Sequence, residues 1–500
     1  MHRSFSLSGM LAAASLLLLI TAGCGQKQIP IDNPPIVNKA LYDTASRFYV
    51  DFEQYPADMR NLPIGIFDSG TGGLTVLEKL LCLDHFDNIT GTGGRDSILD
   101  FAGEHFVYLA DQANMPYGNY AAEGNTAYLQ ELVLKDVIFL LNDHYFVNGI
   151  EEQPSGRKPR AKIIVVACNT ATAYGLHLIK SMLYQSGTGV KVIGVIDAGV
   201  KATLDELDIQ PDTAPFAIGV LATPGTIFSG VYERTLRTEM ERRGITTAID
   251  IVNEGGDGFA EAVDSNPDYV NPRLFAPSNN YLGPVLGEGP DDIRPGLLRA
   301  YNFDFSGNQI LARREPGGAY ASIQLNSAAN YARYNIVTML ERHRQSGKST
   351  PIRAIILGCT HYPFYLETLK EMLEYLREYR EDGRYPYREL IADEVTFIDP
   401  AVYTALECYQ TLREDGNLAF RITPTQVESY ISIPSSLLED NCLTPEGYLT
   451  HDFKYGRQPG TEELTTKQVP FSLDNIDQNN LQRIKELLPN SYALIAPTLK

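Results

Sequence analysis

Two cysteines in this chain each follow an apolar stretch that is typical of a buried strand. Cys168 comes directly after residues 163–167, and Cys359 comes one glycine after residues 354–357. A threonine and a segment with helical spacing follow each of them. A thiol at the end of a strand lies near a helix N-terminus, whose free N–H groups favour the thiolate. Free cysteine is also among the most buried residue types, so a purely structural role is the alternative.

A pair of such thiols can do what one cannot. When two thiols face a single carbon from opposite sides, one thiolate removes a proton and the other thiol delivers a proton to the opposite face. This exchange inverts a stereocentre without redox chemistry and without a metal. The repeated strand–cysteine–helix pattern therefore favours an acid/base pair made of Cys168 and Cys359.

A third strand–turn–helix unit lies upstream and must help to position the thiols. A strand is predicted at 62–67, an Asp-Ser-Gly-Thr-Gly-Gly turn at 68–73 and a helix at 74–83. Glycines let the backbone approach a ligand closely, and the helix N-terminus offers donors to an anion. The turn matches neither G-x-G-x-x-G nor a P-loop. Asp68 would repel phosphate, so it is better placed to hold a proton or an ammonium group, or simply to cap the helix.

Two other motifs bear on the same site. A strand at 106–109 leads to Pro116-Tyr117-Gly118, a turn signal whose tyrosine either lines a pocket or covers one. His361 follows Cys359 by two positions and offers a titratable base, with a hydrogen-bonded core histidine as the alternative.

The N-terminus is typical of a processing segment. Residues 1–23 hold a short positive region and an apolar run at 10–20 that is too short for a comfortable membrane span. The sequence around Cys24 resembles a bacterial lipoprotein signal, which predicts lipid attachment at Cys24 and a tether at 24–61. We therefore expect a protein that is exported and anchored to a bacterial membrane by lipid, facing the periplasm or the cell exterior.

The composition excludes several functions. The formal net charge of −20 argues against nucleic-acid binding, which needs a basic surface. Six cysteines in 500 residues do not make a disulfide scaffold, and with Cys24 set aside an odd number remains. At least one thiol is therefore expected to be unpaired.

Taken together, the motifs resemble those of glutamate racemase, in the aspartate/glutamate racemase superfamily. They are IGIFDSGTGG at 64–73, PYG at 116–118, ACNTA at 167–171, VIGVI at 192–196, ATPGT at 222–226, LGCTHYP at 357–363 and FIDP at 397–400. The resemblance covers about 62–424. It implies an α/β fold of two pseudo-symmetric doubly wound parallel-sheet domains, with the active site between them and no cofactor or metal.

The resemblance also implies roles for particular residues. Cys168 would take the proton from the D-enantiomer with help from Asp68, and Cys359 would take it from the L-enantiomer with help from His361. The residues that would hold the small acidic amino acid are Ser69, Pro116, Tyr117, Gly118, Asn169, Thr170, Thr360 and Asp264. Asp264 stands where the family usually has a glutamate. Because Asp264 is one methylene shorter, aspartate or another acidic amino acid is an alternative substrate.

The predicted organisation is a first domain at 62–196 and 397–425 and a second at 197–396, with an insertion at about 265–322 and a C-terminal extension at 426–500. Glutamate racemases supply D-glutamate for peptidoglycan precursors made in the cytoplasm, so an export signal is unexpected. An anchored protein that binds an amino acid or a wall peptide without turnover is therefore the alternative function. The sequence leaves open whether the chain forms a homodimer.

Overall fold

The computed structural model describes residues 33–419, 424–461 and 464–499. The described residues from Pro34 onward form one compact unit. The predicted signal segment and Cys24 lie outside the described residues. Within the described ranges, no helix has both the length and the apolar character needed to span a membrane.

Strands and helices alternate along most of the chain. The strands are β1 (Ile64–Asp68), β2 (His105–Ala110), β3 (His144–Tyr145), β4 (Gly156–Arg157), β5 (Ile163–Val166), β6 (Lys191–Gly194), β7 (Phe216–Ala222), β8 (Ile249–Gly255), β9 (Ile310–Arg314), β10 (Tyr320–Leu325), β11 (Ile352–Gly358), β12 (Ile391–Ile398), β13 (Gln426–Pro434) and β14 (Thr466–Pro470). The helices are α1 (Pro35–Tyr42), α2 (Leu74–Cys82), α3 (Gly118–Ala122), α4 (Thr126–Leu141), α5 (Asn169–Ser186), α6 (Val195–Glu206), α7 (Pro224–Phe228), α8 (Val231–Arg243), α9 (Phe259–Val263), α10 (Leu298–Tyr301), α11 (Ala328–Gln345), α12 (Leu366–Glu378), α13 (Pro400–Glu414), α14 (His451–Gly456), α15 (Gln478–Leu487) and α16 (Pro489–Ile495).

Two main sheets carry the fold. The first has the strand order β14-β13-β2-β1-β5-β6, in which all neighbours are parallel except β13 and β14. The second has the order β12-β11-β7-β8 and is parallel throughout. The expected α/β fold with two doubly wound sheets is therefore confirmed.

The central strands β1, β5 and β7 are buried along their whole length, as in sheets that are covered on both faces. Successive residues of a strand point to opposite faces. In β1, Ile66 belongs to one core cluster and Phe67 to another. In β7, Val220 and Leu221 are divided in the same way. The cluster that holds Ile66 also holds Val220, so one continuous core joins the two sheets.

The carboxyl ends of the central strands meet at one edge of each sheet. In the first sheet, Asp68 lies opposite Ala110, and Phe67 lies opposite Val166. In the second, Gly358 lies opposite Ala222. Ligands of open α/β sheets bind outside this edge, so the residues that directly follow these strands are the ones placed to form a site.

The C-terminal part differs from its prediction. The sequence predicts a strand at 418–423 at the end of the first domain. In the structure Leu418 and Ala419 are not in a strand, and 420–423 lie outside the described residues. The strand is β13, and it pairs with β2 in the first sheet. Residues predicted as a C-terminal extension thus supply two strands of that sheet. The local sequence could not show this, because pairing to β2 depends on which edge the rest of the sheet leaves free.

The insertion at about 265–322, which has no clear periodicity in the sequence, contains α10 and strand β9, with β10 crossing its end. β9 and β10 form an antiparallel hairpin. The domain boundaries themselves stay a prediction.

Candidate active site

Asp68 ends β1 and turns back onto the glycine loop. Its Oδ2 accepts hydrogen bonds from the backbone N–H of Gly73 at 2.8 Å and of Gly70 at 3.4 Å. The side chain therefore braces the turn into α2, although the N-cap residue of this helix is Gly73 and not Asp68, and it also lines the cavity described below. Burial raises the pKa of Asp68 to about 6, although the charge of His361 opposes the rise. A carboxyl with such a pKa can exchange a proton near neutral pH.

Cys168 is the N-cap residue of α5. Its Sγ accepts a hydrogen bond from the backbone N–H of Ala171 at 3.4 Å and donates to Ser69 Oγ at 3.7 Å. Burial, and then the charge of Asp68, raise the pKa of the Cys168 thiol. Cys168 is therefore a neutral thiol at neutral pH and is set to give up a proton rather than to take one.

Cys359 follows β11 and has different neighbours. Its Sγ lies 3.4 Å from Nδ1 of His361, and Nε2 of the same ring lies 3.0 Å from Oδ2 of Asp264. The other carboxylate oxygen of Asp264 accepts a hydrogen bond from Arg483 at 2.7 Å. A chain of charged groups thus leads from helix α15 to the sulfur.

The charges in this chain depend on one another. Burial alone would lower the pKa of His361, but Asp264 and Cys359 raise it well above its ordinary value. Burial would raise the pKa of Asp264, yet His361 and Arg483 lower it to about 2. His361 is therefore an imidazolium that pairs with a carboxylate, and an imidazolium beside a sulfur stabilises the thiolate.

The predicted residues surround one cavity of about 40 Å³. Eleven of the twelve predicted catalytic and substrate-contact residues line it: Asp68, Ser69, Pro116, Tyr117, Gly118, Cys168, Asn169, Thr170, Cys359, Thr360 and His361. The exception is Asp264. It was expected to face the substrate, but its two oxygens are occupied by His361 and Arg483, so it lies behind the histidine.

The cavity lies between the two sheets, and side chains from both sides close it. Thr170 Oγ1 lies 3.1 Å from Thr223 Oγ1 and 3.0 Å from Thr226 Oγ1. Asn169 Oδ1 accepts a hydrogen bond from Tyr232 at 2.5 Å. These contacts hold the Cys168 turn against the helices that follow β7.

Tyr117 contributes to the cavity wall, but its hydroxyl points elsewhere. The hydroxyl lies 2.5 Å from Asp111 Oδ2 and 2.7 Å from Asp136 Oδ2, and all three residues are buried. Burial and the charge of Asp111 raise the pKa of Asp136 well above its ordinary value. The network fixes the Pro116–Gly118 loop from behind, and Lys454 supports it further by donating to the carbonyl of Met115 at 2.6 Å.

Sequence reasoning missed several residues of the site. Glu261 lines the cavity, and Arg483 reaches Asp264 from the C-terminal segment. Thr223 and Pro224 also line the cavity and were quoted only as part of a motif. The motif could have drawn attention to these two, whereas nothing in the sequence connects Arg483 to a histidine more than a hundred positions earlier. No group of three or more His, Cys, Asp or Glu in the described residues could hold a metal ion.

Two parallel sheets with a strand-end thiol from each beside one cavity define an α/β protein with a paired-thiol site. No protein-family model matches the chain. The chain is 35% identical over 396 residues to the glutamate racemase of Aquifex pyrophilus, covering 78% of this chain and 100% of that protein. It is 30% identical over 284 residues to the glutamate racemase of Lactococcus lactis subsp. cremoris, covering 55% of this chain and 83% of that protein. The chain belongs to the glutamate racemase family and is an isomerase.

Solved structures of the same name are also similar. Glutamate racemase isoform RacE1 from Bacillus anthracis has a TM-score of 0.42 and 21% identity over 74% of this chain and 88% of that one. Glutamate racemase from Francisella tularensis subsp. tularensis, solved in complex with D-glutamate, has a TM-score of 0.38 and 20% identity, with 74% and 88% covered.

Proposed function

We propose that this protein interconverts L- and D-glutamate, with Cys168 and Cys359 as the two acid/base groups. The observation that carries the proposal is that the two cysteines, one from each sheet, line the same cavity. Both are free thiols. The names of the relatives support glutamate as the substrate.

The charged groups beside the two cysteines indicate which cysteine takes a proton first and which gives one. For L-glutamate, the thiolate of Cys359 takes the proton from the α-carbon, so the C–H bond breaks and an S–H bond forms. The resulting carbanion takes the proton of the Cys168 thiol on its opposite face, which leaves Cys168 as the thiolate. The reaction of D-glutamate uses the same groups in the opposite order. Cys168 first gives its proton to Asp68 and Cys359 takes one from His361, so that the Cys168 thiolate removes the α-proton and the Cys359 thiol delivers its proton to the opposite face.

The two halves of the site suit these starting states. Cys168 is a neutral thiol because it is buried beside Asp68, while Cys359 lies beside a protonated His361. Helix α5 and the Tyr362–Tyr365 turn begin beside the lining residues Asn169 and His361, so backbone N–H groups at these starts are candidates to bind carboxylates. No step of the proposal requires a redox change.

The test is exchange in deuterium oxide. Purified protein with L-glutamate should form D-glutamate and incorporate deuterium at the α-carbon. Proton NMR measures the deuterium incorporation, and chiral chromatography measures the D-glutamate. Cys168→Ser and Cys359→Ser should each lower racemisation at least about 10³-fold. Residual exchange should occur only with the enantiomer whose own thiol remains.

A third cysteine provides the control. Cys408 is buried in the core and does not line the cavity, so Cys408→Ser should leave racemisation within about threefold of the parent. Absence of exchange with glutamate, while aspartate or another amino acid exchanges, would contradict the substrate. Tight binding of glutamate without any exchange would instead support a binding protein.

We also propose that the protein is exported and lipid-anchored at Cys24, which rests on the sequence of 1–24 alone. Labelling of growing cells with a palmitate analogue should mark the full-length chain and not its Cys24→Ser variant. An unlabelled parent chain in the soluble cytoplasmic fraction would contradict the anchor.

A further inference from the structure

Glu261 is a second carboxyl in the cavity for which the reaction has no use. It lies in α9, is 7% exposed and lines the cavity beside Pro224 and Ala260. In the part of the chain that the structure describes, no lysine or arginine lines this cavity. Among the described residues, no cation forms an ion pair with Glu261, and the nearby imidazolium of His361 is already paired with Asp264.

The groups around Glu261 favour its neutral form. Burial and the charge of Asp257 raise its pKa, His361 lowers it, and Asp264 raises it, to about 7 overall. The other titratable groups that interact with it are the phenols of Tyr269, Tyr362 and Tyr455, which carry no charge near neutral pH because burial raises the pKa of each. Glu261 therefore changes its charge within the physiological range.

Glu261 shares its cavity with the reacting thiol and with the loop that begins at Pro116. Glu261, Cys359, His361 and Pro116 all line it. The charge of Glu261 raises the pKa of Tyr455, whose hydroxyl lies 3.5 Å from the carbonyl of Pro116. A substrate in this cavity therefore meets the Glu261 carboxyl as well as the thiol.

For a substrate with two carboxylates, the charge of Glu261 affects how tightly the second carboxylate binds. One carboxylate can be held by backbone N–H groups at the helix starts. The other enters a cavity that has no lysine or arginine, where an ionised Glu261 would repel it and a neutral Glu261 would donate to it. A hydrogen bond to a charged acceptor is stronger than one between neutral groups.

We propose that Glu261 is a specificity-determining residue, which in its neutral form donates a hydrogen bond to the distal carboxylate of a dicarboxylic amino acid. This inference rests on the proposed function, since it names how the same site selects its substrate. Glu261 acts in binding and does not exchange protons with the α-carbon.

The experiment measures binding separately from turnover. The full chain with Cys168→Ser is titrated with L-glutamate by calorimetry between pH 6.5 and 8.5. The dissociation constant should rise about 20-fold over this range. The reason is that Glu261 in the free protein, with a pKa of about 7, loses the proton that it needs to donate to the ligand. The neutral analogue L-glutamine should bind with little change over the same range.

Substitution then locates the titrating group. With Glu261→Gln added, the amide still donates but does not titrate, so the affinity for L-glutamate should become independent of pH. Asp257→Asn removes a neighbouring negative charge and should move the midpoint to lower pH. Glu254→Gln changes another buried acid with a pKa near 8, one that is paired with Arg342 and does not line the cavity, and should leave the midpoint unchanged.

The outcomes separate this inference from the proposed function. A pH-independent affinity in the parent, or a pH dependence that persists with Glu261→Gln in a folded variant, overturns the role of Glu261. If Glu261→Gln does not fold, an unmoved midpoint in Asp257→Asn overturns it instead. If glutamate binds with the expected pH dependence but the unsubstituted enzyme does not racemise it, the reaction proposed above is wrong and the role of Glu261 stands.

Discussion

Nε2 of His361 donates a hydrogen bond to Oδ2 of Asp264 at 3.0 Å, and both side chains are buried. Because an ionised carboxylate only accepts hydrogen bonds, Asp264 fixes the proton on Nε2 and directs Nδ1 toward Cys359. In the proposed reaction, Asp264 would therefore act through the histidine, as a positioning residue.

Asp264→Asn should lower kcat/KM by about 10²-fold. Without the carboxylate, burial lowers the pKa of His361, so the imidazolium that stabilises the Cys359 thiolate is lost. The loss should be equal in both directions, since the two enantiomers have equal free energy. Polarimetry measures both rates, and Asp250→Asn, at a part-exposed pair with Lys348, is the control. An unchanged rate in Asp264→Asn would show that His361 does not assist Cys359.

Arg483→Met should lower kcat/KM by about tenfold, since Asp264 loses one of two partners and is held less firmly. Arg483→Lys should retain part of the activity that Arg483→Met loses. Lys485→Met, on the same helix, should cause no loss of activity. The pH–rate profile provides a second readout: the pKa of His361 should rise further when the competing charge of Arg483 is removed. Equal losses in the Arg483 and Lys485 variants, with unchanged profiles, would mean that only the fold of α15 matters.

In the proposed reaction, the ionised form of Asp68 accepts the proton of Cys168. Because burial raises the pKa of Asp68 to about 6, activity should rise with pH through about 6. At lower pH the carboxyl is protonated and cannot accept. Asp68→Asn should lower kcat/KM by about 10²-fold and remove this limb of the profile. The limb is measured from initial rates between pH 5 and 8. A limb near pH 6 that survives in Asp68→Asn would assign it to another group.

Gly72→Ala should reduce activity more than stability. A Cβ at Gly72 would lie 2.6 Å from Thr360 Oγ1 and 2.7 Å from Cε1 of His361, so the threonine and the histidine must shift. Small displacements of catalytic groups cost rate steeply. Calorimetry and initial rates compare this variant with Gly296→Ala, where a Cβ meets nothing within 4 Å. If Gly72→Ala and Gly296→Ala changed activity and stability to the same extent, the close contact of Gly72 with Thr360 and His361 would be contradicted.

Much of the site could be predicted because local sequence determines it. An apolar strand followed by a cysteine and a helix start identifies the carboxyl edge of a parallel sheet, and both Cys168 and Cys359 lie there. The Pro116 turn lines the same cavity as the two cysteines. These signals are short in sequence and depend on backbone preferences that the residues themselves express.

The rest depends on contacts between distant segments. Asp264 was predicted to face the substrate because it occupies the position of a glutamate, but its orientation depends on Arg483, about two hundred residues later. The place of β13 beside β2 likewise depends on a free sheet edge and not on the strand's own composition. Glu261 has no distinguishing neighbours in sequence, and only its burial in the cavity shows it.

The contact between Arg483 and Asp264 also has a consequence for biosynthesis. The ribosome makes Arg483 long after both thiols, so a nascent chain that stops before α15 lacks the outermost charge behind His361. A protease that cuts between α14 and α15 would likewise separate that charge from the thiols, unless the fragments stay associated. If Arg483 supports the proposed reaction as expected, a nascent chain reaches full activity only after α15 has been made and has docked.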